Sequence, residues 1–120
     1  MSTRARPEDC CAPAVSVAPL AHAEREALVA LCRALADPIR LEIFRLVAGQ
    51  TAPICVCDIV DRFDRQQPTI SHHLKVLREA ELVRASRRGV WAYYEVDPVG
   101  LARLRALGAA VLPEAVATIG

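Results

Sequence analysis

Two thiols one residue apart pose the first chemical question. Cys55 and Cys57 stand in Ile54-Cys55-Val56-Cys57-Asp58-Ile59, at what the pattern reads as the mouth of a short helix. Cysteines so placed can be packing, a redox pair or part of a metal site. Within a helix, positions i and i+2 point about 200° apart, so two helical thiols cannot share one ion. An extended Cys55 entering the helix escapes that limit, because its side chain can swing towards Cys57. Cys55 occupies an N-cap position with Asp58 three residues on, which predicts an approximate capping box. A thiol there feels the helix dipole and free N–H groups, which predicts a lowered pKa and a ready thiolate. Even so, two thiols leave a trivalent metalloid one donor short and a tetrahedral ion two short.

The other cysteines are the vicinal Cys10-Cys11 and a lone Cys32, five in all. An odd number in this spacing makes a poor disulfide framework, which argues against a stapled secreted domain. Cys32 lies beside the apolar stripe of the first predicted helix and reads as a small buried hydrophobe. Arg4 and Arg6, followed by the apolar run from Cys11 to Ala21, superficially resemble a signal peptide. Glu8 and Asp9 interrupt its charged part, and Pro13 and Pro19 break its apolar part. No other run approaches the roughly 18 apolar residues of a membrane span. The expectation is a cytoplasmic protein with reduced thiols and no membrane partner.

The elements that must position these groups follow from period and punctuation. The chain has 120 residues, 53% hydrophobic and 24% charged, which suits one domain with one modest core. Residues 1–18, with Pro7 and Pro13 and no sustained period, read as a mobile arm carrying Cys10-Cys11. The domain is expected over 19–112, with a tail at 113–120. Pro19 suits a first helical turn, and Leu28, Leu31 and Leu35 give an amphipathic stripe. Asp37-Pro38 starts a second helix with Ile39, Leu41, Ile43, Leu46 and Val47, ending near Gly49. A third helix, about 56–64, carries Ile59, Val60 and Phe63. A fourth, about 67–80, turns Ile70, Leu74 and Leu77 inward. Leu82–Ser86 and Val90–Val96, joined by Arg87-Arg88-Gly89, predict a β-hairpin. Asp97-Pro98 caps a last helix bearing Val99, Leu101, Leu104 and Leu107.

This order gives a mainly α fold with a β-hairpin, the winged helix-turn-helix. The first and last helices hold more apolar surface than so small a core can hide. A homodimer through those two helices is therefore expected.

A short helix, a turn and a helix with a dense polar face are the parts that enter a DNA major groove. On the fourth helix the outward residues are Gln67, Thr69, Ser71, His72, His73, Lys75 and Arg78. Gln, Ser and Thr can read base edges, while Lys and Arg can hold phosphate. The net charge is only +1, so any DNA affinity must come from local charge. From 62 to 88, Arg62, Arg65, Lys75, Arg78, Arg84, Arg87 and Arg88 outweigh Asp64, Glu79 and Glu81. His72 and His73 diverge by about 100° and cannot readily share a metal, so polar contacts to DNA are the expectation for both. Duplex DNA is the predicted partner.

The segments "ALADPIRLEIFRLV", "ICVCDIV", "QQPTISHHLKVLREAELV" and "RRGVWAYYEV" together resemble the ArsR/SmtB family of metal-responsive bacterial repressors. The resemblance runs from about Leu31 to Val96. It implies a dimeric winged helix whose apo form holds an operator and leaves it when metal binds. It also implies a recognition-helix role for Gln67, Thr69, Ser71, His72 and His73. Arsenic-responsive members often carry a third cysteine where this chain has Val60. Some members draw on N-terminal cysteines instead, which points to Cys10 and Cys11. Three thiolates suit As(III) or Sb(III), and all four of Cys10, Cys11, Cys55 and Cys57 suit Cd(II) or Pb(II). Members with nitrogen and oxygen sites place them between the last helices, where residues 99–120 offer Glu114 but neither His nor Asp. The expected function is an As(III)- or Sb(III)-released repressor. A Cd(II)/Pb(II) sensor and a thiol redox sensor are the alternatives. No phosphate-cradling loop or nucleophile–base set points to an enzyme.

Overall fold

The computed structural model describes residues 14–112. The expected arm over 1–18, with Cys10 and Cys11, lies largely outside those residues, and the expected tail over 113–120 lies wholly outside them. The elements run α1 (His22–Leu35), α2 (Pro38–Ala48), β1 (Ile54–Cys55), α3 (Val56–Arg62), α4 (Gln67–Glu79), β2 (Val83–Arg88), β3 (Trp91–Val96), α5 (Pro98–Arg105) and α6 (Leu107–Val111).

Two helix starts are fixed by the Asp-Pro pairs. The Asp37 carboxylate accepts the Arg40 N–H at 2.9 Å, with Pro38 in the first turn. Asp97 accepts from the Val99 N–H at 2.9 Å, ahead of Pro98. Each cap satisfies an amide that the first turn leaves without a partner.

One core joins these elements. Leu31, Ile43, Ile59, Ile70, Leu74, Leu77, Leu82 and Val83 are fully buried, and no buried side chain among the described residues is polar. Two packing expectations are corrected. Leu41 is exposed and Phe44 is buried, because the inward stripe of α2 is Ile43, Phe44 and Val47. Cys32 is exposed. It lies about 100° round α1 from Leu31, and Leu31 and Ala34 take the inward positions.

The end of α4 sets how the hairpin and α5 return. Glu81 adopts φ 59°, while Glu81 N–H bonds Arg78 C=O at 2.9 Å and Leu82 N–H bonds Leu77 C=O at 3.0 Å. This paired closure of the last turn needs a left-handed residue after the helix. Gly100 of α5 then rests on that turn, where a Cβ would lie 2.1 Å from the Glu81 carbonyl oxygen. Only glycine lets α5 pack so close.

The sheet has three strands in the order β1-β3-β2, all antiparallel. Arg88 faces Trp91, so the turn is Gly89-Val90, with φ 64° at Gly89. A positive φ at the first central residue alone is the pattern of a type II′ turn. The last predicted helix divides at Ala106 into α5 and α6.

Candidate nucleic-acid interface and thiol pair

The buried stripe Ile70, Leu74 and Leu77 fixes the rotation of α4, and with it every polar side chain on the helix. Gln67, Ser71, Lys75 and Arg78 recur at one-turn spacing along one flank. Together with Arg87, Val90 and Trp91 of the hairpin they line a cleft of about 360 Å³. Thr69 and His72 are exposed on the same helix.

His73 is placed differently from the rest. It is half-buried, and Arg40 Nη1 of α2 lies 3.2 Å from its Nδ1. A guanidinium can only donate, so Nδ1 accepts and the ring proton belongs on Nε2. Arg40 also donates from Nε to the Ala34 carbonyl at 2.6 Å and from Nη2 to the Arg33 carbonyl at 3.2 Å. One side chain thus joins the end of α1 to the recognition helix. Burial pushes the His73 pKa down, with Arg40 adding to that against the pull of Asp37. The sequence carried the signal: residue 73 lies three after Ile70 and four before Leu77, on the inward edge of the helix.

The hairpin differs from expectation by a small shift with a large consequence. Arg87 and Arg88 belong to β2 rather than to the turn. Neighbouring strand residues face opposite ways. Arg87 lines the cleft with α4, whereas the Arg88 guanidinium lies 4.4 Å over the Tyr93 ring on the other face. The tip presents Val90 and Trp91, 81% and 52% exposed, rather than the expected arginines. A lone tryptophan beside a turn glycine was the available signal. Arg84 is paired with Glu95 at 2.9 Å and Lys75 with Glu79 at 4.0 Å. Among the described residues no carboxylate lies within ion-pair distance of Arg78 or Arg87. Their charges are therefore available to phosphate.

Cys55 closes β1 and precedes the first turn of α3 with extended backbone, φ −67° and ψ 141°. The two sulfurs meet as the extended entry allows: Cys57 Sγ lies 2.7 Å from Cys55 Sγ. Cys55 is buried and Cys57 exposed. The expected capping box does not form, for no side chain caps α3. The sulfur that would accept an amide is engaged with Cys57 instead. Nor is the Cys57 thiol acidified. Its pKa is raised from an ordinary 9.0, first by its hydrogen bond to Cys55, then by desolvation and the charges of Cys55 and Asp58. Next to a second sulfur and a carboxylate, the thiolate gains less from a seven-residue helix than it loses.

These two thiols fit a thiophilic ion as part of a donor set. Val60, half-buried one turn on, adds no donor. Among the described residues no group of three or more His, Cys, Asp or Glu side chains could hold a metal. Cys55 also stands opposite Tyr93 in the sheet, and Ile54 opposite Tyr94. A two-residue strand has no period to read, and the sequence did not reveal it.

The architecture is that of a winged helix-turn-helix DNA-binding regulator, not of an enzyme. The family described as "Bacterial regulatory protein, arsR family" matches residues 37–85. An HTH-type transcriptional regulator of Methanocaldococcus jannaschii is 44% identical over 64 residues, covering 53% of this chain and 71% of that protein. The arsenical resistance operon repressor of Bacillus subtilis is 40% identical over 65 residues, 54% of this chain and 61% of the repressor's length. Among solved structures, a homodimeric winged helix-turn-helix DNA-binding domain from Mycobacterium bovis, a possible ArsR-family regulator, superposes with a TM-score of 0.61. It is 31% identical and covers 74% of this chain and 81% of that one. The chain belongs to the ArsR family of transcriptional regulators. Among the described residues no helix is long and apolar enough to cross a membrane.

Proposed function

We propose that this protein represses a metalloid-resistance operon, holding duplex operator DNA as an apo homodimer and releasing it when its thiols take up As(III) or Sb(III). The observation that carries this reading is the meeting of Cys55 and Cys57 at 2.7 Å, with Cys57 open to solvent. Cys55 and Cys57 supply two sulfurs, and Cys10 or Cys11 of the arm over 1–18 supplies the third. Arsenous acid exchanges each hydroxide for a thiolate, and each thiol proton leaves in the water formed. A raised thiol pKa is therefore no bar to uptake at neutral pH.

In this reading Gln67, Thr69, Ser71 and His72 face the bases, and Lys75, Arg78, Arg87 and Arg88 hold the backbone. His73 acts through Arg40 rather than at the DNA surface. Exposed Val29 of α1, with Val99 of α5 and Val111 and Leu112 at the end of α6, supports pairing of two copies through the first and last helices. The Mycobacterium bovis domain is homodimeric, which supports pairing of two copies. A cytoplasmic setting keeps the thiols reduced and the operator within reach.

The test is operator release by arsenite, antimonite, cadmium, lead and peroxide, followed by fluorescence anisotropy. Wild type is expected to let go with arsenite and antimonite, while Cys55→Ser/Cys57→Ser and Cys10→Ser/Cys11→Ser both stay bound. Release by cadmium or lead alone would replace the three-thiol reading with a four-thiol one. Release by peroxide, reversed by reductant, would replace it with a redox sensor.

A further inference from the structure

The thiol pair is joined to the wing by the sheet. Cys55 is directly opposite Tyr93, and Tyr93 is directly opposite Ser86. Opposed residues share a face of the sheet, and so do residues two apart on one strand. Cys55, Tyr93 and Arg88 therefore lie on one face, and the Arg88 guanidinium rests 4.4 Å above the Tyr93 ring centre. From sulfur to guanidinium there is one cross-strand pair and one ring.

Both faces are packed at β1, and Cys55 itself is buried in the core. Ile54 and Tyr94, paired across the strands, are both buried in the core. β1 is held to β3 by two residue pairs only. Any turning of Cys55 to complete a donor set must act on that short pairing, and first on the residue opposite it.

Resting on the reading of Cys55 and Cys57 as inducer thiols, we propose that Tyr93 is a positioning residue that couples the thiol pair to the wing. Ligation at Cys55 is then read out at Arg88, in addition to any movement of α3 against the recognition helix. In the apo protein Tyr93 holds Arg88 at the wing for the operator. When Cys55 turns, Tyr93 loses its neighbour and Arg88 its platform. An exposed cation–ring contact corresponds to about a two- to fivefold change in an equilibrium. The wing therefore accounts for part of the release, with the rest left to the recognition helix.

The protein carries its own reporter, because Trp91 is its single tryptophan and stands opposite Arg88. The experiment uses the full chain. It records arsenite uptake by near-ultraviolet sulfur–arsenic absorbance, Trp91 emission, and operator affinity with and without arsenite. Arsenite is expected to shift Trp91 emission in wild type but not in Cys55→Ser/Cys57→Ser. Tyr93→Leu is expected to keep the absorbance band while its ratio of operator affinities, without and with arsenite, falls about two- to fivefold. Tyr93→Phe, which retains the ring, is expected to restore the ratio. An unchanged ratio in Tyr93→Leu, or a silent Trp91 in wild type that shows the band, overturns the coupling and leaves the thiol reading standing. A wild type with no band overturns the thiol reading itself, and the coupling with it. Should circular dichroism show Tyr93→Leu unfolded, Arg88→Gln takes its place: the same two- to fivefold fall in the ratio is expected, and an unchanged ratio overturns the coupling.

Discussion

The starts of α2 and α3 are alike in backbone and opposite in chemistry. Each follows an extended residue, Asp37 in one and Cys55 in the other. Asp37 turns its carboxylate onto the Arg40 amide, and that hydrogen bond above all holds its pKa below the ordinary 3.8. The mouth of α2 is thereby closed, and Arg40 just inside it is free to brace α1 and His73. Cys55 makes no such cap, and its sulfur takes Cys57 as partner. The mouth of α3 thus gives up a stabilising bond and gains a pair of thiols that can change partners. A rigid start serves the element that braces α4, and under the proposed function an uncapped one serves the element that takes up the inducer.

The largest test of this contrast is Cys57→Ser. It should leave apo operator binding within about threefold and abolish the response to arsenite. That response is expected to lie in the range of about 5- to 150-fold typical of coupled sites, as read by anisotropy. Next comes Asp37→Ala, which opens the closed mouth. It should cost about 1 kcal/mol and lower Tm by about 4–8 °C in differential scanning calorimetry.

A smaller effect is expected from Cys55→Ser, which offers α3 the oxygen cap that it lacks. The lost apolar burial and the gained cap should nearly offset, for a net change below about 1 kcal/mol. Calorimetry showing a loss as large as that of Asp37→Ala would mean that the sulfur itself holds α3 in place.

The smallest effect is on pH dependence. His73 has a folded pKa below its ordinary 6.5, so the folded state binds fewer protons than the unfolded one in the interval between the two values. Stability is then full above 6.5 and declines as the pH falls towards the folded value. Asp37 titrates in a separate window, with its contribution lost below 3.8 as the pH falls through its depressed value. Tm measured from pH 8 to pH 5 should therefore dip in wild type and flatten in His73→Gln.

Local rules made the frame of the interface legible. Ile70, Leu74 and Leu77 announce the inward side of α4 by spacing alone, and that fixes Gln67, Ser71, Lys75 and Arg78 on one flank. The two Asp-Pro starts were equally plain. Residue type misled at His73, whose position belongs to the inward edge although its chemistry suggests the surface. The sequence places the hairpin tip at Arg87-Arg88-Gly89, whereas the structure places it at Gly89-Val90. Because strand residues alternate, the location of that turn decides that Arg87 enters the cleft while Arg88 crosses to Tyr93.

The sequence by itself determined the phase of α4, the Asp caps, the hairpin and the possibility that Cys55 could reach Cys57. Each depends on dihedral preferences or spacings within a few residues. Only the tertiary structure decided that Cys32 is exposed, that Arg40 seizes His73, and that Cys55 lies across from Tyr93. Those contacts join residues distant in the chain, and no local period records them. They exist because one shared core fixes the helices and the sheet against each other.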